Sequence, residues 1–322
     1  MTDPNAVVRG VLDNPFREAA SQQGDPQGQA RCGLKDHEED GLGNHRAADG
    51  QTLRLDELAA GLMDPDGDLD DLAEIEEELV TARRRELIPY VERHLEAAVQ
   101  AGNWYARHVL ARILAETAGH TSLAALLRAY SRDLGDDQDS LSTTLHVLVQ
   151  EHPAAAREIL LPCAVGDDAD LRGAAIWLLG FVPEPADLGL LAHAAQDSNE
   201  GIRSAVVGAL GSHGTEPAAI DLLLHLLDDP SPQVRISALS SLSSIGSLRF
   251  FQRPRTLRKI RLLANDDSPR VRAWVAIALG HFSAPEPADL ATSAVLDRLA
   301  TDTDPYVRDQ VAEARQRKSL RS

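Results

Sequence analysis

The chain has 322 residues, 43% of them hydrophobic but only 4% aromatic, and a formal net charge of −18. No run approaches the ~20 apolar residues of a membrane span, and the acidic start (Thr2, Asp3, Pro4) lacks the basic and apolar regions of a signal peptide, so the expectation is a cytoplasmic protein. Two cysteines, Cys32 and Cys163, supply no disulfide framework. The charge is lopsided: residues 1–80 hold 20 acidic and 6 basic side chains, a net of −14, against 30 and 26, a net of −4, over 81–322.

Residues 1–50 are rich in Gly, Asp, Gln and Asn and show no sustained hydrophobic period, so 1–68 reads as an acidic, largely disordered segment. Val7, Val8, Val11 and Leu12 suffice for one short turn of helix, and order is expected to begin near Leu53. Asp64–Asp71 resembles the opening of a calcium loop. Counted from Asp64, however, its sixth and twelfth positions are Leu69 and Ile75, where Gly and Glu are needed, so it reads as a linker. Cys32, His37 and His45 have no metal-ligand spacing. From Leu69 to Arg85 an apolar side (Leu72, Ile75, Leu79, Val80) opposes an acidic one (Glu74, Glu76, Glu77, Glu78), the pattern of a capping helix at the start of a body spanning 69–322.

From there the spacing predicts helix after helix. Pro89 opens one carrying Val91, Leu95 and Val99; Tyr105–Glu116 follows and is closed by Gly119. Leu123–Leu134, Leu141–Val149, Ile159–Val165 and Leu171–Leu179 come next. One signature then recurs: an Asp, turn-type residues, a β-branched aliphatic, and an Arg six positions after the Asp. Its instances are Asp197…Ile202-Arg203, Asp229…Val234-Arg235, Asp266…Val271-Arg272 and Asp302…Val307-Arg308, with a looser copy at Asp167…Leu171-Arg172. The Arg anchors are 31, 32, 37 and 36 residues apart, and periods of that size mean stacked repeats. Seven helix pairs are expected, anchored near Arg107, Ser142, Arg172, Arg203, Arg235, Arg272 and Arg308. Three positions past the anchor the residue is small or branched, and seven past it is Leu in four copies (Leu179, Leu210, Leu242, Leu279), tracing one stripe that must be buried against neighbouring repeats.

The segments "DDPSPQVRISALSSL", "DDSPRVRAWVAIALG" and "DTDPYVRDQVAEA" resemble the HEAT repeat, in the short form also seen in phycobilin-lyase-like repeats. The resemblance is strong over about 167–317 and extends to 86–166. It implies an all-α solenoid, a right-handed superhelix of antiparallel helix pairs. It also implies that the turn Asp and helix Arg form a structural ladder between adjacent repeats, through Asp229/Arg235, Asp266/Arg272, Asp302/Arg308 and Asp197/Arg203.

In such a solenoid the second helices line the concave, partner-binding face. Positions one and five past each anchor are expected there, which nominates His108, Arg112, Trp177, Ser204, Ile236, Ser240 and Ile277. Trp177, amid Gly and Ser, is the candidate hot spot, with burial in the core as its alternative; Trp104 and Trp274 are expected in the core. Residues 249–261 hold six basic side chains and no acidic one. This nominates Arg249, Arg253, Arg255, Arg258, Lys259 and Arg261, on an extended loop and the helix after it, as a patch for phosphate or an acidic partner. No phosphate loop, nucleophile elbow or His-Glu-x-x-His motif appears, so no catalytic residue, cofactor or metal is expected. The functional expectation is a protein- or peptide-binding scaffold, with nucleic acid not favoured and no membrane partner. The resemblance keeps one alternative, a HEAT-like enzyme of the phycobilin-lyase or alkylpurine DNA glycosylase type.

Overall fold

The computed structural model describes residues 45–64, 69–135, 138–245, 253–282 and 290–319, and every element among them is helical. The expectations placed on 1–44, on 65–68 within the Asp64–Asp71 stretch, and on Arg249 with the loop before Arg253 lie outside the described residues. The chain divides into two compact units, with the boundary in sequence between Val182 and Pro183.

The first unit opens with a pair that the sequence obscured. Helix α1 (His45–Met63) packs on α2 (Leu69–Ala82), burying Leu55, Leu58 and Leu62 with Ile75 and Leu79. The expected segment 1–68 is corrected only in its last part, since the chain is helical from His45 to Met63. Gly61 looks like a helix breaker but lets the two helices close: a Cβ there would lie 2.6 Å from Leu72 Cδ2. Helix α3 (Ile88–Gln100) carries Pro89 in its first turn, where no N–H is needed. Helix α4 (Trp104–Ala118) is capped by Asn103, whose side chain accepts the Ala106 N–H at 2.9 Å, and is closed by Gly119 at φ +57°. Then come α5 (Leu123–Tyr130), α6 (Asp139–Glu151), α7 (Pro153–Ala164) and α8 (Ala169–Leu179). Helix α5 stops short of the expected Leu134, and α7 starts at Pro153 rather than Ile159.

The second unit holds α9 (Asp187–Ala194), α10 (Glu200–Ser212), α11 (Pro217–Leu226), α12 (Pro232–Ser244), α13 (Arg253–Leu262), α14 (Pro269–His281), α15 (Leu290–Leu299) and α16 (Pro305–Ser319). The first helix of each pair is odd-numbered and the second even-numbered, and the second helices stack in sequence: α10 on α12, α12 on α14, α14 on α16. All seven anchored pairs are present, and α1/α2 adds one before them. The predicted stripe forms the core, with Ile202, Val206, Leu210, Val234, Ala238, Leu242, Val271, Val275 and Leu279 all buried. Helices α14 and α16 approach so closely at Gly280 that a Cβ there would lie 2.9 Å from Ala314 Cβ.

The Asp–Arg ladder runs along the stack. Each Arg uses Nη1 to bond the carbonyls six and five residues before it, closing the turn of its own repeat: Arg203 to Asp197 and Ser198, Arg235 to Asp229 and Pro230, Arg272 to Asp266 and Asp267, at 2.7–3.1 Å. The rest of the guanidinium reaches the Asp of the following repeat. Arg203 holds Asp229 through Nε at 2.7 Å and Nη2 at 2.9 Å, Arg272 holds Asp302 at the same two distances, and Arg235 Nη2 holds Asp266 at 2.8 Å. Each of these carboxylates also accepts the N–H two residues on, from Ser231, Ser268 and Asp304. Thus the ladder pairs Arg with the next repeat's Asp, while the Asp and Arg of one repeat meet through the Asp carbonyl. The hydrogen bond from Arg272 holds the Asp302 carboxyl down at about 2, below its ordinary 3.8.

Candidate binding face

Stacking sets which side of each second helix reaches solvent. On α12 and α14 the positions two and five past the anchor are partly exposed and position nine is exposed: Ser237, Ser240 and Ser244 on α12; Trp274, Ile277 and His281 on α14. Gly208, five past Arg203, continues the strip onto α10, and nothing lies within 4 Å of where its Cβ would be. Small side chains floor one half of the strip; Trp274 and Ile277 stand at the other. Of the nominated residues, Ser240 and Ile277 are partly exposed. Ser204 (6% exposed) and Ile236 (5%) are not. On α10 and α12 position one past the anchor is buried, so these two are corrected to packing residues. Ser204 Oγ is buried with no hydrogen-bond partner among the described residues.

The tryptophans exchange roles relative to expectation. Trp177 is only 6% exposed, stacked on Tyr130 (centroids 5.2 Å apart, planes at 19°) and edge-on to Phe181 at 5.1 Å. Burial pushes the Tyr130 phenol up, and His146, which packs on Phe181 with centroids 4.2 Å apart, has its imidazole lowered by burial. Trp177 is therefore corrected from a surface anchor to the centre of an aromatic core in the first unit. Trp104, expected in the core, is 51% exposed, and Trp274, also expected there, is partly exposed. Of the two expected sites on α4, His108 is exposed, its Nδ1 2.6 Å from Ser140 Oγ. Arg112 is exposed but engaged: it donates to Glu76 at 2.7 Å and Glu77 at 3.1 Å, and its pKa is raised chiefly by the bond to Glu76. It ties α4 to α2, so much of its charge is already matched.

The profile of HEAT repeats matches residues 157–243 and 243–315, the span that carries the ladder. The chain is a HEAT-repeat protein. Among solved structures it is similar to Kap121p, at 16% identity and a TM-score of 0.55, with 82% of this chain covered and 34% of that one. It therefore spans about a third of Kap121p's length. It is also similar to E. coli YibA (16% identity, TM-score 0.46, covering 88% of this chain and 99% of that one). A designed armadillo repeat protein in complex with the peptide (KR)4 matches at 15% identity and a TM-score of 0.35, over 81% of this chain and 98% of that one. No curated protein matches the sequence significantly. The likeness to Kap121p agrees with the fold, an α-solenoid.

The basic run of this HEAT array lies largely on α13, a first helix, so it is on the layer opposite the Trp274 strip. From Arg253 onward the run is helical, and most of its cations are directed at neighbours. Arg253 donates to the Phe282 carbonyl at the end of α14, Arg255 pairs with Asp221, Lys259 pairs with Asp228, and Arg261 Nε donates to Thr292 Oγ1 at 3.1 Å. Sequence inspection could not show this, because the partners lie about 30 residues away, one repeat before or after. Arg258 is exposed and bonds none of the described residues. Among those residues no cluster of three or more His, Cys, Asp or Glu could hold a metal, and no helix is long and apolar enough to cross a membrane.

Proposed function

We propose that this HEAT protein is a scaffold that binds a protein or peptide along the exposed strip of its second helices in the unit from Pro183 onward. The observation that carries this reading is Trp274 with Ile277, a partly exposed aromatic and aliphatic pair beside a floor of Gly208, Ser237 and Ser240. Aromatic side chains dominate binding hot spots, and a floor of small residues lets a partner backbone come close. The floor's hydroxyls can bond that backbone's amides. A HEAT solenoid presents such a strip as one extended surface because each repeat adds the same position.

The enzyme alternative draws less support. A glycosylase-like site wants an aromatic, a carboxylate and a basic channel on one open face, and Trp177 is closed off by Tyr130 and Phe181. The strip around Trp274 is built from serines, Ile277 and His281 instead of a row of cations.

The test is affinity capture with the wild type, Trp274→Ala and Ser240→Arg, with Arg112→Ala as a control away from the strip. The scaffold reading expects one polypeptide to be retained by the wild type and the control and lost with both strip variants. Retention by all four proteins, or loss with Arg112→Ala alone, would refute it.

A further inference from the structure

The opposite layer of the second unit holds a cavity of about 310 Å³ between first helices α11 and α13, unconnected with the strip proposed above. It is the size of one or two side chains. Its apolar part is Leu224 on α11 and Leu262 on α13, and Leu262 is 63% exposed, one helical turn beyond Arg258. Such an exposed leucine at the lip of a cavity is available for a partner's apolar group.

The charges around it are unequal. Two carboxylates line the cavity, Asp221 and Asp228, and each is already paired across the gap, with Arg255 and Lys259. Three cations line it, and the third, Arg258, has no partner among the described residues. His225 adds a further nitrogen at the rim. Once the internal pairs are formed, the unsatisfied charge is positive and sits next to exposed leucine. A guanidinium fork matches a carboxylate in two parallel hydrogen bonds, so the complementary group is a carboxylate adjoining an apolar side chain.

We infer that the α11/α13 cavity is a second docking site, for an acidic amphipathic peptide segment that places an apolar side chain over Leu224 and Leu262 and a carboxylate on Arg258. A basic segment is disfavoured, because the carboxylates it would need are already occupied. The surface lies on first helices and is independent of the Trp274 strip.

The test uses two fluorescein-labelled amphipathic peptides of equal length, one built from Leu and Glu and its counterpart from Leu and Lys, titrated against the full chain by fluorescence polarisation. The Leu/Glu peptide should saturate, weaken with added salt, and bind about tenfold more weakly to Arg258→Glu and to Leu262→Ser. Its affinity for Trp274→Ala should be unchanged. Both Arg258 and Leu262 are exposed, so these variants should fold, and circular dichroism checks that they do. Equal binding of the Leu/Lys peptide, no binding of the Leu/Glu peptide to the folded chain, or unchanged affinity for Arg258→Glu would overturn the inference. Loss with Trp274→Ala alone would place the peptide on the strip and also overturn it.

Discussion

Removing the Asp229 carboxylate should cost far more stability than removing any exposed carboxylate of the same array. Asp229 accepts three hydrogen bonds, from Arg203 Nε at 2.7 Å, Arg203 Nη2 at 2.9 Å and the Ser231 N–H at 2.8 Å. Its side chain is 3% exposed and that of Arg203 10%. In Asp229→Ala the Arg203 guanidinium stays buried, holding only the Asp197 and Ser198 carbonyls through Nη1. Breaking a buried pair by removing one partner typically costs about 3–5 kcal/mol, because a desolvated charge is left behind. The comparison is Asp221→Ala, whose ion pair with Arg255 has side chains 56% and 65% exposed and should contribute no more than about 1 kcal/mol. Asp229→Asn keeps an acceptor for the turn but not the charge, and should fall between the two. The assay is urea denaturation followed by circular dichroism. Hydrogen exchange of the α10 and α12 amides should accompany it, since a repeat array can open locally before it unfolds globally. If Asp229→Ala and Asp221→Ala lose the same stability, or Asp229→Ala loses less than about 1 kcal/mol, the ladder is not what joins the repeats.

Other perturbations have definite signs. Gly280→Ala should destabilise by about 1–3 kcal/mol despite a gain in helix propensity of about 1, because its Cβ would meet the rigid Ala314; Gly208→Ala, with open space at its Cβ, should be neutral or stabilising in the same melts. Asp302 has a folded pKa of about 2 against an ordinary 3.8, so its ion pair with Arg272 stabilises the fold above about pH 4 and that contribution is lost as pH falls towards 2. The stability gap between wild type and Asp302→Asn, measured by urea melts, should therefore be widest near neutral pH and shrink on acidification. Trp177→Ala should cost about 3–5 kcal/mol by emptying the Tyr130–Phe181 cluster, whereas Trp274→Ala should cost much less in the same thermal or urea melts.

The parts of this molecule that repeat were legible in its sequence. The Asp-to-Arg spacing located every second helix from Arg203 onward, and the small, branched and Leu positions after each anchor are the residues buried between repeats. What eluded the sequence was whatever depends on a single neighbour. Trp177 and Trp274 both follow an anchor Arg, at positions five and two; Tyr130, 47 residues earlier, and Phe181 pack on the first, whereas the second stays partly exposed. Positions one and five lie on the same side of an isolated helix, but the tight stacking of α10, α12 and α14 separates them, covering Ser204 and Ile236 and leaving Ser240 and Ile277 open. Helix α1 carries Leu55, Leu58 and Leu62 at helical spacing. Gly50 and Gly61 obscured it, although Gly61 is there to admit Leu72. The basic run looked free because its carboxylate partners, Asp221 and Asp228, lie one repeat upstream.

The most direct test of the binding face is hydrogen–deuterium exchange on the full chain with and without the polypeptide it captures. A scaffold that uses the Trp274 strip should gain protection across 233–244 and 270–281, on α12 and α14. Protection confined to the first helices α9, α11, α13 and α15, or to the unit before Pro183, would contradict it.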